Sequence, residues 1–143
     1  MEQLSEARAH WLAAAPSGHL ATADASGAPH VIPVCYAFDG RTLFSVLDQK
    51  PKSAELIRLR RVKNIQANPQ VSLVVDHYEE DWSRLGYILV FGMAKLLLEG
   101  EEHDGAVRLL RQKYSQYRAM DLEANPVIKI TPHRVVCWGA VPT

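Results

Sequence analysis

The sequence predicts a mainly β, α+β chain in which six or seven antiparallel strands are accompanied by three helices. Two observations carry this expectation: short alternating or β-branched segments recur between turn residues, and three other segments repeat their apolar residues with helical spacing. The 143 residues contain no internal repeat and no linker. We therefore expect a single domain over residues 1–143, either an α+β chain or a β-barrel with helices packed outside.

The first third of the chain is predicted to contain one helix and three strands. The helix covers residues 3–15, and the strands cover 19–24, 29–38 and 41–47. Asp39-Gly40 joins the last two strands and favours a type I′ hairpin, in which both central positions need positive φ. These three strands are expected to form an antiparallel meander.

Pro33 interrupts the second predicted strand. A proline donates no ladder hydrogen bond, so it marks an edge, a bulge or a place where the strand turns aside. One interpretation is a bulge that helps a barrel to close. The other is that backbone groups of Pro33, Val34 and Cys35 are released toward a ligand, and the sequence leaves both open.

The rest of the chain is predicted to combine two helices with four strands. Ser53 is a plausible N-cap for a helix that ends at Asn68-Pro69. An exposed acidic loop follows at 79–81. The remaining predicted elements are strands over 71–78 and 85–99, a helix over 101–120, and a last pair of strands over 127–131 and 134–141.

The predicted strand over 85–99 is apolar on both of its faces. One face carries Tyr87, Leu89, Phe91 and Met93, and the other carries Ile88, Val90, Ala94, Leu96 and Leu98. One of these faces can fill the interior of a barrel, but the other must be covered by something else. A partner subunit is the simplest cover.

Basic residues are concentrated in one segment of a chain whose net charge is zero. Only Glu55 opposes the six basic residues between positions 50 and 63, which are Lys50, Lys52, Arg58, Arg60, Arg61 and Lys63. A patch of this size suits a small anionic ligand better than a long polyanion. The best candidates for binding an anion are Lys50, Lys52, Lys63 and Asn64. A solvated helix face is the alternative interpretation.

Motifs for protein-based catalysis and for metal binding are missing from the sequence. There is no P-loop, GxGxxG or GxSxG motif and no acid–base pair, and the six histidines are scattered. We therefore predict no catalytic residue and no metal ligand, so that a cofactor must carry the chemistry of any enzyme. Net neutrality and the lack of aromatic residues among the basic ones argue against a nucleic-acid partner.

The sequence predicts a cytoplasmic protein without a membrane anchor. No apolar run approaches the ~20 residues that cross a bilayer, and the N-terminus carries acid where a signal peptide carries base. The two cysteines, Cys35 and Cys137, lie in apolar stretches without metal-ligand or CxxC spacing. We expect both to be buried free thiols in a reducing cytoplasm.

Short motifs in a fixed order relate this chain to a known family. They are LATAD (20–24), GAPHVIPV (27–34), DG (39–40), LF (43–44), KPK (50–52), RVKNI (61–65), NP (68–69) and VSLVVD (71–76). From about residue 18 to residue 138, the chain resembles the split β-barrel flavin and deazaflavin reductases related to pyridoxamine 5′-phosphate oxidase. DHY (76–78) with DW (81–82) is similar to a subgroup that depends on the deazaflavin coenzyme F420.

The resemblance implies an FMN-binding type of split β-barrel with six or seven antiparallel strands and flanking helices. It also implies a homodimer with two cofactors bound at the subunit interface, which agrees with the strand that is apolar on both faces. The phosphate end of each cofactor would meet the residues already selected from their charge, namely Lys50, Lys52, Lys63 and Asn64.

The same resemblance implies where the flat ring of the cofactor would lie. It would run along Pro33, Val34 and Cys35 and along the third strand, at Ser45, Val46 and Leu47. Trp138 would come from the partner chain. From its chemistry alone, a tryptophan near a strand end could cover a flat ring or could pack in the core.

The leading functional prediction is an F420-dependent oxidoreductase that transfers a hydride between the coenzyme and a small unsaturated or quinone-like molecule. An FMN-dependent oxidoreductase of the same fold is the first alternative. The second is a non-catalytic protein that binds a flavin, a deazaflavin or a tetrapyrrole. Oxidation of vitamin B6 is not expected, because the chain has no matching set of Arg and Lys residues for pyridoxal phosphate.

Overall fold

A computed structural model describes residues 4–48 and 59–142 of the chain. Its seven strands are antiparallel and belong to one sheet, in the order β2-β1-β5-β6-β7-β4-β3. The strands are β1 (Gly18–Ala23), β2 (Pro29–Val34), β3 (Ala37–Phe38), β4 (Leu43–Val46), β5 (Gln70–His77), β6 (Gly86–Leu97) and β7 (Val127–Gly139). Three α-helices accompany them within the described ranges, α1 (Glu6–Ala14), α2 (Arg60–Ala67) and α3 (Glu101–Lys113). The predicted mainly β, α+β fold is confirmed.

The sheet closes on itself at a two-residue crossover. β2 and β3 lie at opposite ends of the strand order, yet only Cys35 and Tyr36 separate them along the chain. The two ends of the sheet therefore lie side by side, and the sheet forms a barrel that is split at this point. Both antiparallel pairings of the predicted meander form, but the predicted middle strand, 29–38, was wrong as one strand. It divides into β2 and β3, which lie at opposite ends of the sheet.

Pro33 lies within β2 and pairs in register with His19 of β1. The β1–β2 register runs without a shift, so the structure contains no bulge at Pro33. β2 is an edge strand, where the missing N–H of a proline is tolerated because that side of the strand has no ladder partner. The strand ends one residue later, at Val34, where the crossover begins.

The Asp39-Gly40 hairpin forms, but its turn type differs from the predicted one. Gly40 has a φ of 100°, whereas no residue other than glycine has positive φ within the described ranges. The Asp39 carboxylate accepts the backbone N–H groups of Arg41 and Thr42, both at 2.8 Å. This side-chain capping stabilises the turn and removes the need for positive φ at Asp39.

Helix α2 begins later than the sequence predicts. Its N-cap, Leu59, has an extended backbone with φ −58° and ψ 140°, so a single helix cannot run from the predicted cap at Ser53. Ser53 itself lies outside the described residues. The predicted end at Asn68-Pro69 is confirmed, since Asn68 is the extended C-cap of this helix.

The last predicted pair of strands is one continuous strand, β7, with a bulge. Phe91 pairs with Arg134 and Gly92 pairs with Pro132, which leaves His133 as the extra residue. The predicted helix over 101–120 is also shorter than expected. It ends at Lys113 and is followed by a 3₁₀ turn over Ser115–Ala119.

A methyl group added at Gly92 is predicted to disturb the pairing of β6 with β7. A Cβ at Gly92 would lie 2.8 Å from both Ile130 Cγ2 and Thr131 O, and the backbone carbonyl cannot move aside. We expect Gly92→Ala to lower the free energy of unfolding by about 1 to 3 kcal/mol, measured by urea denaturation. Gly105→Ala in α3, where the nearest atom would lie 3.7 Å away, should instead be neutral or stabilising.

The buried side chains form two clusters on either side of the sheet. The larger fills the barrel and includes Leu20, Leu73 and Ile88, with Leu12 from α1 and Val62 from α2 packed against them. The smaller lies beneath α3 and is built around Val107, Leu110 and Tyr117. Within the described ranges, no helix is long and apolar enough to cross a membrane.

The outward face of β6 remains partly open to solvent. Met93 is 44% exposed on this face, and Trp138 of the neighbouring β7 is 53% exposed. Tyr87, Leu89 and Phe91 lie between them and are only partly buried. The strand is therefore apolar on both faces, as its sequence predicts, and one face has no cover from the described residues.

Candidate functional site

A cavity of about 190 Å³ lies at the split of the barrel. It is bounded by the end of β2, the end of β4, the residue that precedes β1, and the first turn of α2. Its lining residues are Ser17, Pro33, Val34, Cys35, Ser45, Val46, Asp48 and Arg61. Five of the sequence-predicted site residues are thus brought together, namely Pro33, Val34, Cys35, Ser45 and Val46.

Two side-chain hydrogen bonds hold the walls of the cavity. The Ser45 hydroxyl donates to the backbone carbonyl of Cys35 at 2.8 Å, which ties β4 to the crossover. The Tyr117 hydroxyl donates to Asp48 Oδ2 at 2.6 Å. Burial raises the pKa of Tyr117, and the bond to the Asp48 carboxylate raises it further, so the phenol keeps its proton.

Arg61 brings a cation to the cavity wall. Burial lowers the pKa of its guanidinium, while the nearby Asp48 carboxylate acts in the opposite direction. Its Nε–H is buried and has no hydrogen-bond partner among the described residues. A buried donor without a partner is costly, so this guanidinium is suited to an anion that enters the cavity.

The other sequence-predicted residues occupy different environments. The side chain of Leu47 is fully buried in the barrel core. Lys63 is exposed on α2, whereas Asn64 is 1% exposed, donates to Thr22 Oγ1 at 3.0 Å, and leaves its own Oδ1 without a described partner. Trp138 stacks on Tyr87 with ring centroids 5.6 Å apart. Lys50 and Lys52 lie outside the described residues, and the predicted roles of all these residues stay predictions.

Sequence reasoning did not select Ser17, Asp48 or Arg61. The sequence placed Arg61 in the basic segment but could not distinguish it from Arg60 and Lys63, which carry the same charge. The helical phase of α2 decides among the three, because it turns Arg61 to the cavity and leaves Arg60 and Lys63 exposed. Ser17 and Asp48 had no signal beyond their position next to strand ends.

Lys113, the last residue of α3, lies beside the crossover. Its Nζ donates to the backbone carbonyl of Tyr36 at 2.9 Å and lies 3.9 Å from the centroid of the Tyr36 ring. Burial lowers the pKa of this ammonium to about 8. The ring face favours the charged form and opposes part of that shift. No carboxylate among the described residues lies within ion-pair distance of Lys113.

We predict that the half-buried Lys113 makes stability depend on pH in the alkaline range. Its ordinary pKa is 10.5, so from about pH 8 to pH 10.5 the unfolded chain binds this proton more than the folded chain does. The free energy of unfolding therefore rises with pH across this window. Between about pH 8 and pH 10.5, the free energy of unfolding of the wild type should rise by about 1 kcal/mol relative to that of Lys113→Met, after allowance for solvent screening. Urea denaturation at several pH values measures this change. If the difference in free energy of unfolding between the two proteins did not change with pH, Lys113 would not have this half-buried environment.

The described residues contain no group of three or more His, Cys, Asp or Glu side chains that could hold a metal ion. His77 and Glu79 do come together, with Nε2 and Oε2 2.6 Å apart, but they form an exposed pair at the end of β5. The hydrogen bond from His77 is the main cause that lowers the pKa of Glu79. This pair lines no part of the cavity at the split.

Fold and cavity together define a split β-barrel protein with a partly enclosed site where its sheet closes. The family model described as pyridoxamine 5′-phosphate oxidase matches residues 4–139, and the chain belongs to this family. The resemblance that the short motifs indicate is thereby confirmed at the level of family and fold.

Three solved structures share this fold. An FAD-binding protein from Mesorhizobium loti has a TM-score of 0.68 and 25% identity, over 94% of this chain and 94% of its own. An F420 reductase has a TM-score of 0.62 and 24% identity, over 89% and 94%. HutZ, a heme storage protein from Vibrio cholerae, has a TM-score of 0.66 and 15% identity, over 87% and 85%. None of the curated protein sequences matches this chain.

Proposed function

We propose that this protein is an oxidoreductase that binds coenzyme F420 at the split of the barrel and transfers a hydride to or from a small unsaturated or quinone-like molecule. The observation that carries the proposal is the cavity that Arg61 lines together with Pro33, Val34 and Cys35, because the buried Nε–H of Arg61 has no partner among the described residues. The likeness to an F420 reductase supports the choice of cofactor.

The residues at the cavity fit a flavin-type cofactor in charge. Arg61 would neutralise an anionic group of the cofactor as a planar, charge-assisted donor. Lys50, Lys52, Lys63 and Asn64 are proposed to bind the phosphate next to it. The edge strand β2 has no ladder partner on one side, so its backbone could face a flat ring. When bound, the cofactor supplies the hydride chemistry, for which the chain offers no acid–base pair of its own.

The proposal includes a homodimer with two cofactor sites at the subunit interface, each completed by residues of the partner subunit. A cavity of about 190 Å³ is smaller than the roughly 300 to 1,000 Å³ of typical ligand pockets. The partly open face of β6 and β7 offers an apolar surface where a second copy could pack. In this arrangement, Trp138 of each chain would reach the site of the other.

The choice between F420 and FMN depends on the anionic tail and not on the ring contacts, because both cofactors present a tricyclic ring and a phosphate. An FMN-dependent oxidoreductase is therefore the first alternative. The FAD-binding protein from Mesorhizobium loti favours a flavin of some kind without separating these two cofactors.

Storage or sensing of a tetrapyrrole is the second alternative. HutZ is a heme storage protein of the same fold. Against it, no histidine lines the cavity, although a heme iron usually takes a histidine or cysteine ligand. Cys35 is the one cavity residue of that kind.

We also propose a cytoplasmic location. Cys35 and Cys137 are both free thiols in the described part of the chain, as predicted, but both are partly exposed and the predicted burial was wrong. Free, partly exposed thiols fit a reducing compartment better than an oxidising one.

Parallel titrations of the purified apoprotein with F420, FMN and heme test the proposal, with protein and cofactor fluorescence or heme absorbance as the signal. Tight binding of F420 with weak binding of FMN is the expected result, and it would direct a screen of F420H₂-dependent reductions. The reverse preference would make the protein a flavoprotein. Binding of heme alone would replace the enzyme proposal by the second alternative. If none of the three cofactors bound, the enzyme proposal and both alternatives would be wrong.

A further inference from the structure

Hydrogen bonds from the end of helix α3 and from the residues after it hold the backbone next to the cavity. Lys113 reaches the carbonyl of Tyr36, as described above, and Tyr114 accepts the backbone N–H of the same residue at its hydroxyl, at 3.1 Å. Tyr36 itself is buried, and its own hydroxyl donates to the carbonyl of Leu12. The crossover peptide is therefore fixed through its N–H, its carbonyl and its side chain.

The Tyr114 hydroxyl has two carbonyl acceptors within reach but only one proton to give. Pro16 O lies at 2.9 Å and Tyr36 O lies at 3.1 Å. We place the proton on the bond to the nearer acceptor, Pro16 O, while Lys113 donates to Tyr36 O. Burial raises the pKa of Tyr114 to about 12, so the phenol retains this proton at neutral pH.

The three contacts reach three different walls of the cavity. Pro16 precedes Ser17, Tyr36 follows Cys35, and Tyr117 holds Asp48 directly. Lys113 and Tyr114 are themselves absent from the cavity lining. A five-residue segment, Lys113 to Tyr117, thus sets the relative positions of walls that come from distant parts of the chain.

We propose that Lys113 and Tyr114 are positioning residues that hold the Ser17 and Cys35 walls of the cavity at the separation needed for cofactor binding. This inference rests on the proposed function for its effect on cofactor affinity, but the wall positions themselves can be tested without a cofactor.

The first test measures the affinity of the cofactor that the titrations select. Tyr114→Phe and Lys113→Met should each weaken binding by about 3-fold to 10-fold, as expected for one or two lost hydrogen bonds. Lys113→Arg keeps the charge and a donor and should remain within about 2-fold of the wild type. Arg108→Met, an exposed change on the same helix, is the matched control and should bind as the wild type does. In the double variant, the loss should be smaller than the product of the single losses, because both residues hold the same Tyr36 peptide.

The second test needs no cofactor and follows the alkylation of Cys35 by iodoacetamide, with Cys137 as the internal reference. Cys35 lines the cavity next to the crossover, whereas Cys137 lies on β7. The ratio of the two alkylation rates, read by mass spectrometry, should change by several-fold in Tyr114→Phe and Lys113→Met and stay constant in Arg108→Met. General loosening of the fold would change both cysteines in parallel and would overturn the inference.

The two tests separate the inference from the function on which it rests. If the wild type binds none of the three cofactors, the proposed function is lost, and the cysteine ratio still decides whether Lys113 and Tyr114 position the walls. If the wild type binds a cofactor while both variants match its affinity and its cysteine ratio, the inference is wrong and the function stands. Should one variant fail to fold, the other carries the same tests.

Discussion

Replacing Arg61 by alanine is expected to weaken cofactor binding more than any other single change among the described residues, by about 10-fold to 100-fold. The guanidinium is partly buried at the cavity wall, and its Nε–H lacks a described partner, so a bound anion would gain a charge-assisted hydrogen bond there. Fluorescence titration of the variant at low and at high salt measures the loss. Arg61→Lys should recover only part of the affinity, because an ammonium lacks the planar fork.

The matched control for this prediction is Arg60→Ala. Arg60 precedes Arg61 on the same helix and carries the same charge, but its side chain is exposed. Its removal should change affinity by no more than about 3-fold at physiological salt, because exposed charges are well screened. Equal losses in the two variants would indicate a diffuse electrostatic effect and would remove the specific role of Arg61.

Replacing Leu89 or Phe91 by aspartate is expected to abolish the proposed dimer. Both side chains lie on the outward face of β6, where the proposed partner would cover them. Burial of an unpaired carboxylate in an apolar interface costs several kcal/mol, so the subunits should separate or the protein should unfold. Light scattering with circular dichroism distinguishes these two outcomes, and the wild type should show twice the 16.0 kDa chain mass.

Ala124→Asp provides the control for the dimer prediction. It introduces the same charge at an exposed position in the loop before β7 and should leave the mass unchanged. A Leu89→Asp or Phe91→Asp protein that keeps the mass and stability of a wild-type dimer would contradict an interface on this face. The cofactor titration of a separated but folded variant then tests whether the partner completes the site.

Features that depend on neighbouring residues were predicted well from the sequence. Each predicted strand before residue 100 has a counterpart in the sheet, since apolar alternation and turn residues act over a few positions. The hairpin at Asp39-Gly40 is an example. Its turn type was nevertheless wrong, because the sequence pattern did not reveal that the Asp39 carboxylate would accept two backbone N–H groups.

Features that depend on distant residues were predicted less well. A break at Leu59 and the single strand β7 both contradicted local patterns that favoured a longer helix and two shorter strands. In β7, pairing with β6 along twelve positions carries the strand through Pro132 and places a bulge at His133. The local sequence pattern of the segment 127–141 does not predict this pairing.

Some residues of the candidate site were predicted from the sequence, and others became apparent only in the structure. The Pro33–Cys35 segment and the third strand were selected from the sequence, and the cavity joins five of those six residues, while Leu47 faces the core. The choice of Arg61 over its basic neighbours, and the contribution of Ser17 and Asp48, required the structure. Helical phase and the closing of the barrel decide which side chains face the cavity, and neither can be read from charge alone.

By itself, the sequence determined the family, the strand-rich fold class and the concentration of positive charge next to the third strand. The family follows from the order of the short motifs that resemble it. The fold class and the charge follow from composition and from short-range periodicity, which a chain carries whether or not it is folded. The tertiary structure alone decided that the sheet splits at Cys35 and Tyr36 and that Lys113 and Tyr114 support this split. The reason is physical: those contacts join residues nearly 80 positions apart, and they exist only once the barrel has closed.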